Sequence, residues 1–437
     1  MESECKDIFE MVKFRHKADR LLANRHHYSR LAKALLLSVG NQVISSGSNF
    51  ALGLYLVRTL SSVEFGLYGI AFAISLFYTG IGNSLFLTQM VVHTPDKLSE
   101  DRLPYAGRMF IALCGFNAAF CTCMVIVLGT VAAIFFNEYL YYSLAIVAVS
   151  VASLSKDFFI RHAYNHGQEN WVLIINSALT VSMISALAIL HFYGISITVV
   201  LALWLYALAH AIASICGYAL SRLPLQGARW ILIRADVLES WVGGSWATAT
   251  NILYLLRTQA YTVVVASVLG PIGVAKLNAA RLFITPTVML TPALSQVFLP
   301  RLAQSVHNAP SRVFFKGRLF TAVLLMITIS YSLLLFSVFD FIELSVTQGR
   351  YGSLFWLVAG WAVFSCVLSI RNGQEIAFQA LRWFKYQTIA NAPSAIITVI
   401  AVTLLTNWYG PGGAISGLIL GELVLVIIYS HHMWRKK

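Results

Sequence analysis

The feature that most constrains this chain is a succession of apolar runs, each about 20 residues or longer, separated by short segments that carry charge, glycine or proline. A helix rises about 1.5 Å per residue, so a run of that length spans the roughly 30 Å hydrocarbon layer of a bilayer. In lipid the backbone has to satisfy its own hydrogen bonds, and a continuous apolar run does so as a helix. Runs near 33–57, 66–92, 107–134, 139–158, 171–193 and 197–220 predict six helices. Runs near 240–268, 274–300, 317–341, 354–378, 386–407 and 412–431 predict six more. Only 11% of the 437 residues are charged and 58% are apolar, against roughly 25% charged in soluble domains. A soluble enzyme is excluded, and the expected fold is an all-α polytopic membrane protein.

The 31 Lys and Arg outnumber the 18 Asp and Glu by 13, a balance that in a soluble chain would suggest nucleic acid. Spread over twelve helices, it reads as topology. The N-terminal segment, the even-to-odd loops and the C-terminal end carry 25 basic residues, whereas the opposite loops hold only Arg58, Lys276 and Arg350. Cytoplasmic loops concentrate Lys and Arg, so both termini are expected in the cytoplasm, with no nucleic-acid partner. The basic segment 1–32 reads either as a solvated tail that fixes orientation or, with Phe9, Met11, Phe14 and Leu21 among its lysines and arginines, as an amphipathic helix on an anionic leaflet. No small-residue cleavage site ends the first apolar run, so the segment is expected to stay on the mature chain. All cysteines except Cys5 fall inside apolar runs and read as small packing residues, with no disulfide framework or metal site expected.

An internal repeat divides the chain. Leu60-Ser61-Ser62-Val63-Glu64-Phe65-Gly66-Leu67-Tyr68 after the first helix is echoed by Leu269-Gly270-Pro271-Ile272-Gly273-Val274-Ala275-Lys276-Leu277 after the seventh. His191-Phe192-Tyr193-Gly194 after the fifth is echoed by Asn407-Trp408-Tyr409-Gly410 after the eleventh. The expected organisation is a basic segment 1–32, a six-helix lobe 33–220, a cytoplasmic connector 221–239 and a second lobe 240–437. Lobes with an even number of helices share one orientation and are related by an axis along the membrane normal, as in secondary transporters whose substrate site lies between repeats.

The chain lacks the motifs of enzymes that work on phosphates or acyl groups. No Gly-Lys dipeptide occurs, which excludes a phosphate-cradling P-loop, and neither H-E-x-x-H, a paired D-x-D nor a G-x-S-x-G elbow is present. No catalytic residue, cofactor or metal is expected. The informative residues are ionisable groups at membrane depth, each costing roughly 2.5–3.5 kcal/mol unless it faces protein or water. Arg257, Arg281 and Arg371 all lie in the second half, and a vestibule lined by guanidinium groups suits an anionic phosphate or diphosphate. Arg257, the deepest and without a local partner, is the leading substrate contact. Arg371 and Glu375 are four residues apart and either neutralise each other or contribute to the site; Arg281 either contacts substrate or snorkels. Glu422 reads as a coupling-proton carrier or a packed structural acid, and His210 as a packing residue. Asn41, Ser45, Ser48 and Asn49 on the first helix, and Thr248, Asn251 and Thr258 on the seventh, form polar faces that fit a hydrated cavity or ordinary interhelical hydrogen bonding.

Leu60-Ser61-Ser62-Val63-Glu64-Phe65-Gly66-Leu67-Tyr68 resembles the L-[ST]-x-x-[ED]-[FY]-G-x-[YF] pattern of Wzx-type polysaccharide-repeat flippases. Phe298-Leu299-Pro300-Arg301-Leu302 and Tyr409-Gly410-Pro411-Gly412-Gly413-Ala414 resemble two further stretches of that family, within the superfamily that includes multidrug and toxin extrusion proteins and the lipid II flippase. The resemblance implies a V-shaped, two-lobed inner-membrane transporter that moves undecaprenyl-diphosphate-linked oligosaccharide to the periplasmic leaflet for O-antigen or a related polysaccharide of the lipopolysaccharide class. It also implies a cationic lumen, a polyprenyl tail that stays in the lipid bilayer, and a polysaccharide polymerase and chain-length regulator as partners. Two other functions remain in view: an ion-coupled exporter of small drugs or metabolites, which would need an essential buried acid, and a membrane-embedded polymerase or ligase, which would need acids or bases on larger outer loops.

Overall fold

The computed structural model describes residues 40–41, 44–134, 138–225, 229–306, 310–381 and 383–435; the segment 1–32, with both of its readings, lies outside the described residues. Every regular element among them is helical. Among the described residues nine stretches are long and apolar enough to cross a membrane, and two of these, Gly243–Pro292 and Lys385–Met433, are 50 and 49 residues long, enough for two crossings each at 1.5 Å per residue. Each folds back at a glycine of positive φ, Gly270 at 69° and Gly410 at 60°. The antiparallel return is visible in the side chains: Tyr261 donates to Asn278 across the first turn, and Ser394 donates to the Gly421 carbonyl across the second.

With the helix over 44–59, this makes twelve long helices among the described residues. They are α1 (44–59), α2 (Ser62–Gly82), α3 (Arg102–Ile134), α4 (Glu138–Asn165), α5 (Glu169–Phe192) and α6 (Val199–Ser221) in the first half. The second half holds α7 (230–269), α8 (271–306), α9 (Pro310–Ser337), α10 (Phe355–Ala380), α11 (384–409) and α12 (411–435). Within the first half α4 and α5 pack along α6, and within the second α10 packs against α7–α8, α9 and α11–α12. α2 leans across to α7 and α8. The bundle has a sparsely charged end, which carries the α1–α2, α5–α6, α7–α8 and α11–α12 turns, and a basic end opposite it.

The repeated motif has a local mechanism. Ser61 is the N-cap of α2 and forms a capping box with Glu64: the Glu64 amide donates to Ser61 Oγ at 3.2 Å, and the Ser61 amide donates to Glu64 Oε2 at 3.2 Å. The other Glu64 oxygen accepts the Val199 amide at the start of α6, so one carboxylate serves two helix N-termini, where the dipole favours it. Phe65 is core. Gly66 lies against the Pro271 backbone at the start of α8, where any side chain would collide. The motif and its echo therefore meet each other where the two halves touch.

Two boundaries differ from the sequence reading. α4 continues to Asn165 instead of stopping near 158, because Lys156 turns inward, 8% exposed, with its ammonium 3.0 Å from Asp157, and does not mark a loop. The connector expected over 221–239 is shorter, because helix resumes at Trp230; Asp236 and Glu239 on this helix form ion pairs to the first half. Gly80 and Gly82 serve close packing, against Asn251 and Leu255 of α7 and against Leu154 of α4, and a π-helical turn, Asn83–Leu87, follows them.

Candidate functional site

α1 and α2 face α7, α8 and α10 across a polar interior. Two adjoining cavities lie there, of about 240 Å³ and 400 Å³. The smaller, towards the sparsely charged end, is bounded by Asn49 of α1, Tyr68 and Phe72 of α2, and Asn278 of α8. The larger reaches from Ser46 of α1 and Thr258 of α7 to Trp361, Arg371 and Asn372 of α10. Gln259, Arg281, Thr285 and Met289 line both, so these four side chains form the neck between them.

Arg281 is the cation at that neck. Its Nη1 donates to the Tyr261 hydroxyl at 3.1 Å, and that hydroxyl donates to Asn278 Oδ1 at 3.2 Å. The guanidinium carbon lies 5.7 Å from the Trp361 ring centroid, within reach of a cation–π attraction. Among the described residues no carboxylate pairs with it. Its contacts hold it in place and leave its charge uncompensated.

The other two arginines are arranged differently. Arg257 on α7 is 2% exposed and Glu422 on α12 is 1% exposed. Glu422 places one oxygen 3.4 Å from Arg257 Nε and the other 3.1 Å from Arg371 Nε, and Arg371 also pairs with Glu375 one turn along α10. The order Arg257, Glu422, Arg371, Glu375 alternates in sign across three helices. The Arg257 Nε, the Arg371 Nε and both Glu422 oxygens lack aligned hydrogen-bond partners, so the centre of this row is held by charge proximity and not by directed hydrogen bonds. Arg257 has no partner nearby in sequence; its partner, Glu422, comes from a helix remote in sequence. Arg257 lines neither cavity, whereas Arg371 lines the larger one.

The polar faces separate in the same way. Asn41 is buried and donates to the Glu169 carbonyl at the start of α5, 3.5 Å away, inside the first half. Asn251 packs on Gly80 at the α2–α7 crossing. Asn49 does line the smaller cavity, where it accepts from the Tyr206 hydroxyl at 3.0 Å. His210 is buried with its Nδ1 2.9 Å from the Tyr206 carbonyl. The sequence reading passed over Gln259, Asn278, Trp361 and Asn372; the signal available was an amide or indole within an otherwise apolar run.

At the basic end an ionic clasp joins the first half to the start of α7. Lys97 Nζ lies 2.8 Å from Glu239 and 3.7 Å from Asp236. Arg108 Nε donates to Asp236 at 2.5 Å, and its two terminal nitrogens fork onto Asp101 at 3.1 Å each. The hydrogen bond from Lys97 holds Glu239 below the usual carboxylate range, and that from Arg108 does the same for Asp101. The Lys97 ammonium is correspondingly held above its ordinary value, chiefly by its hydrogen bond to Glu239.

The chain matches the family described as polysaccharide biosynthesis protein over residues 31–306. No curated protein matches it. Among solved structures it is similar to an inward-facing multidrug-resistance MATE transporter of the MOP superfamily, with a TM-score of 0.68 and 13% identity over 90% of this chain and 94% of that one. It is similar to the lipid II flippase MurJ in an inward closed conformation, with a TM-score of 0.62 and 13% identity over 93% and 87% of the two chains. A MOP superfamily transporter from Pyrococcus furiosus, described as having a binding pocket of reverse polarity, gives a TM-score of 0.59 and 15% identity over 91% and 94%. At such identities the likeness is one of fold. The family match covers well over half of the chain, and this multi-pass membrane protein with the MOP-superfamily fold therefore belongs to the polysaccharide biosynthesis protein family.

Proposed function

We propose that this protein is a flippase that carries undecaprenyl-diphosphate-linked oligosaccharide from the cytoplasmic to the periplasmic leaflet of the bacterial inner membrane, for O-antigen or a related polysaccharide. The observation that carries the reading is Arg281: a cation without an acidic partner among the described residues, at the neck shared by both cavities. A diphosphate accepts paired N–H bonds from a guanidinium, and Arg371, whose charge Glu375 and Glu422 already share, stands in the wall of the larger cavity as a second contact. The sugars would lie against Asn49, Gln259, Asn278 and Asn372, while the polyprenyl tail stays in lipid between the halves. Rocking of the halves would then expose the headgroup to either side. The excess of basic residues in one set of loops supports cytoplasmic termini. The product leaves as a substrate for a polymerase with its chain-length regulator.

The test is depletion of the chain followed by sidedness assays of lipid-linked repeat units. They should accumulate facing the cytoplasm and be cleared by the wild type. Arg281→Ala should fail to clear them at normal protein level, and Arg281→Lys should clear them in part. Charged hydrogen bonds contribute roughly 1.5–3 kcal/mol, so the alanine variant should be slower by about tenfold or more. Full rescue by Arg281→Ala removes the cation from the path. Absence of accumulation on depletion sinks the flippase reading and favours export of small molecules.

A further inference from the structure

A larger cavity, of about 660 Å³, lies outside the path between the halves, lined by α9, α10 and α12 near the basic end and open on one side. It sits on the other side of α10 from the central site: Arg371 and Asn372 line the central cavity, whereas Ile370, Gly373, Gln374 and Ala377 line this one, a stripe at i, i+3, i+4 and i+7. Space for it arises where α9 and α10 approach through glycines; a Cβ on Gly317 would stand 2.9 Å from the Gly373 carbonyl oxygen. Its walls are mainly apolar, including Phe314, Val426 and Ile427.

Two polar features mark it as more than a lipid-facing groove. Gln374 is 8% exposed and donates from Nε2 to Ser430 Oγ at 2.8 Å and to the Val426 carbonyl at 3.3 Å, but its Oε1, also buried, accepts nothing. A buried acceptor in that state is costly until a ligand supplies a donor. Arg318 and His431 also line the cavity, and among the described residues no acid does. Gln374 lies six residues before the end of α10 and His431 four before the end of α12, so both stand about 6–9 Å inside the helix ends, at headgroup and glycerol depth. Basic pockets between transmembrane helices on this side of a bilayer take anionic headgroups.

We propose that this cavity is a binding site for an anionic glycerophospholipid whose headgroup carries a free hydroxyl, of the phosphatidylglycerol class. An acyl chain runs along Phe314, Val426 and Ile427, the phosphate meets Arg318 and His431, and the headgroup hydroxyl donates to Gln374 Oε1. The transported carrier is a poorer fit, because α10 separates this cavity from the central one. The site does not depend on the flippase reading.

The test uses the purified full chain in nanodiscs of phosphatidylcholine with graded phosphatidylglycerol, read by native mass spectrometry and by thermal unfolding. The wild type should retain phosphatidylglycerol in preference to phosphatidylcholine and melt higher with it. The double variant Arg318→Gln/His431→Gln should lower that retention about tenfold. Ile427→Trp, which fills the cavity from its lipid side, should lose the phospholipid and still melt as the wild type does in phosphatidylcholine alone. Equal retention of the two phospholipids, or unchanged retention in the double variant, overturns the proposal. So does displacement of phosphatidylglycerol by equimolar undecaprenyl phosphate, which would assign the cavity to the carrier.

Discussion

At the residue scale, the three intramembrane arginines divide by the groups that surround each guanidinium. Arg257 and Arg371 share Glu422, whereas Arg281 meets a phenol and an indole. Removing one member of a buried ion pair leaves its partner as an uncompensated charge, at about 3–5 kcal/mol. Arg257→Ala is therefore expected to lower the thermal midpoint and the membrane level of the protein, while Arg281→Ala leaves both near wild type. The double variant Arg257→Leu/Glu422→Leu should be less destabilised than Arg257→Ala, because it removes both charges and leaves Arg371 its pairing with Glu375. Thermal unfolding in detergent, analysed as a double-mutant cycle, checks this; an Arg257→Ala protein as stable as wild type would contradict the pairing. The types and depths of these residues were legible in the sequence. The assignment of Glu422 to Arg257 was not, because it depends on which faces of α7, α10 and α12 turn towards one another, and hydropathy carries no such information.

At the element scale, the hairpins α7–α8 and α11–α12 rest on one device. A glycine in a backbone region that side chains avoid is followed by proline at the first position of the next helix, where its missing N–H costs nothing. Gly270, at φ 69° and ψ −173°, occupies a region essentially reserved to glycine, with a cost of order 1–3 kcal/mol for other residues. Gly270→Ala should lower the melting midpoint although no atom stands near enough to clash, and a neutral result would show that the turn relaxes. The helices themselves were legible as apolar runs, and the Gly-Pro turns as the breaks between them. The boundaries that differ share one cause: Lys156, Asp236 and Glu239 are ionic, yet each has a counter-ion that lets it sit in a helix. Charge locates a loop only where it faces water, and pairing between segments is invisible along a single chain.

At the scale of the whole molecule, the two ends are closed by different chemistry. At the basic end the clasp of Lys97, Arg108, Asp101, Asp236 and Glu239 ties the first half to the start of α7. Glu239 and Asp101 are held below the ordinary carboxylate range, so their stabilising contribution is complete above the unfolded value of about 4 and is lost as pH falls through the depressed values. Lys97 is raised, so its contribution is complete below about 10.4 and is lost as pH rises through its higher folded value. Amide exchange at the start of α7, once corrected for intrinsic rates, should therefore quicken below about pH 4; exchange that stays level through that range would contradict this pairing. At the sparsely charged end the halves are held by hydrogen bonds to backbone: Arg350 Nη1 donates to the Leu60 carbonyl at 2.9 Å, Tyr351 donates to Val57 at 3.3 Å, and Ser62 donates back to the Arg350 carbonyl at 3.3 Å. The proposed alternation of access requires this end to open, and among the described residues the Arg350 bond is the one there that carries a charge. Losing a contribution of roughly 1.5–3 kcal/mol from the closed state alone would raise the open population by about tenfold or more. In a chain whose native cysteines are replaced by serine, a cysteine placed by Tyr68→Cys, in the smaller cavity behind this seal, should be labelled by a membrane-impermeant thiol reagent correspondingly faster when Arg350→Ala is added. Unchanged labelling would mean that the close backbone approach of Gly66 to Pro271, and not the arginine, keeps this end shut.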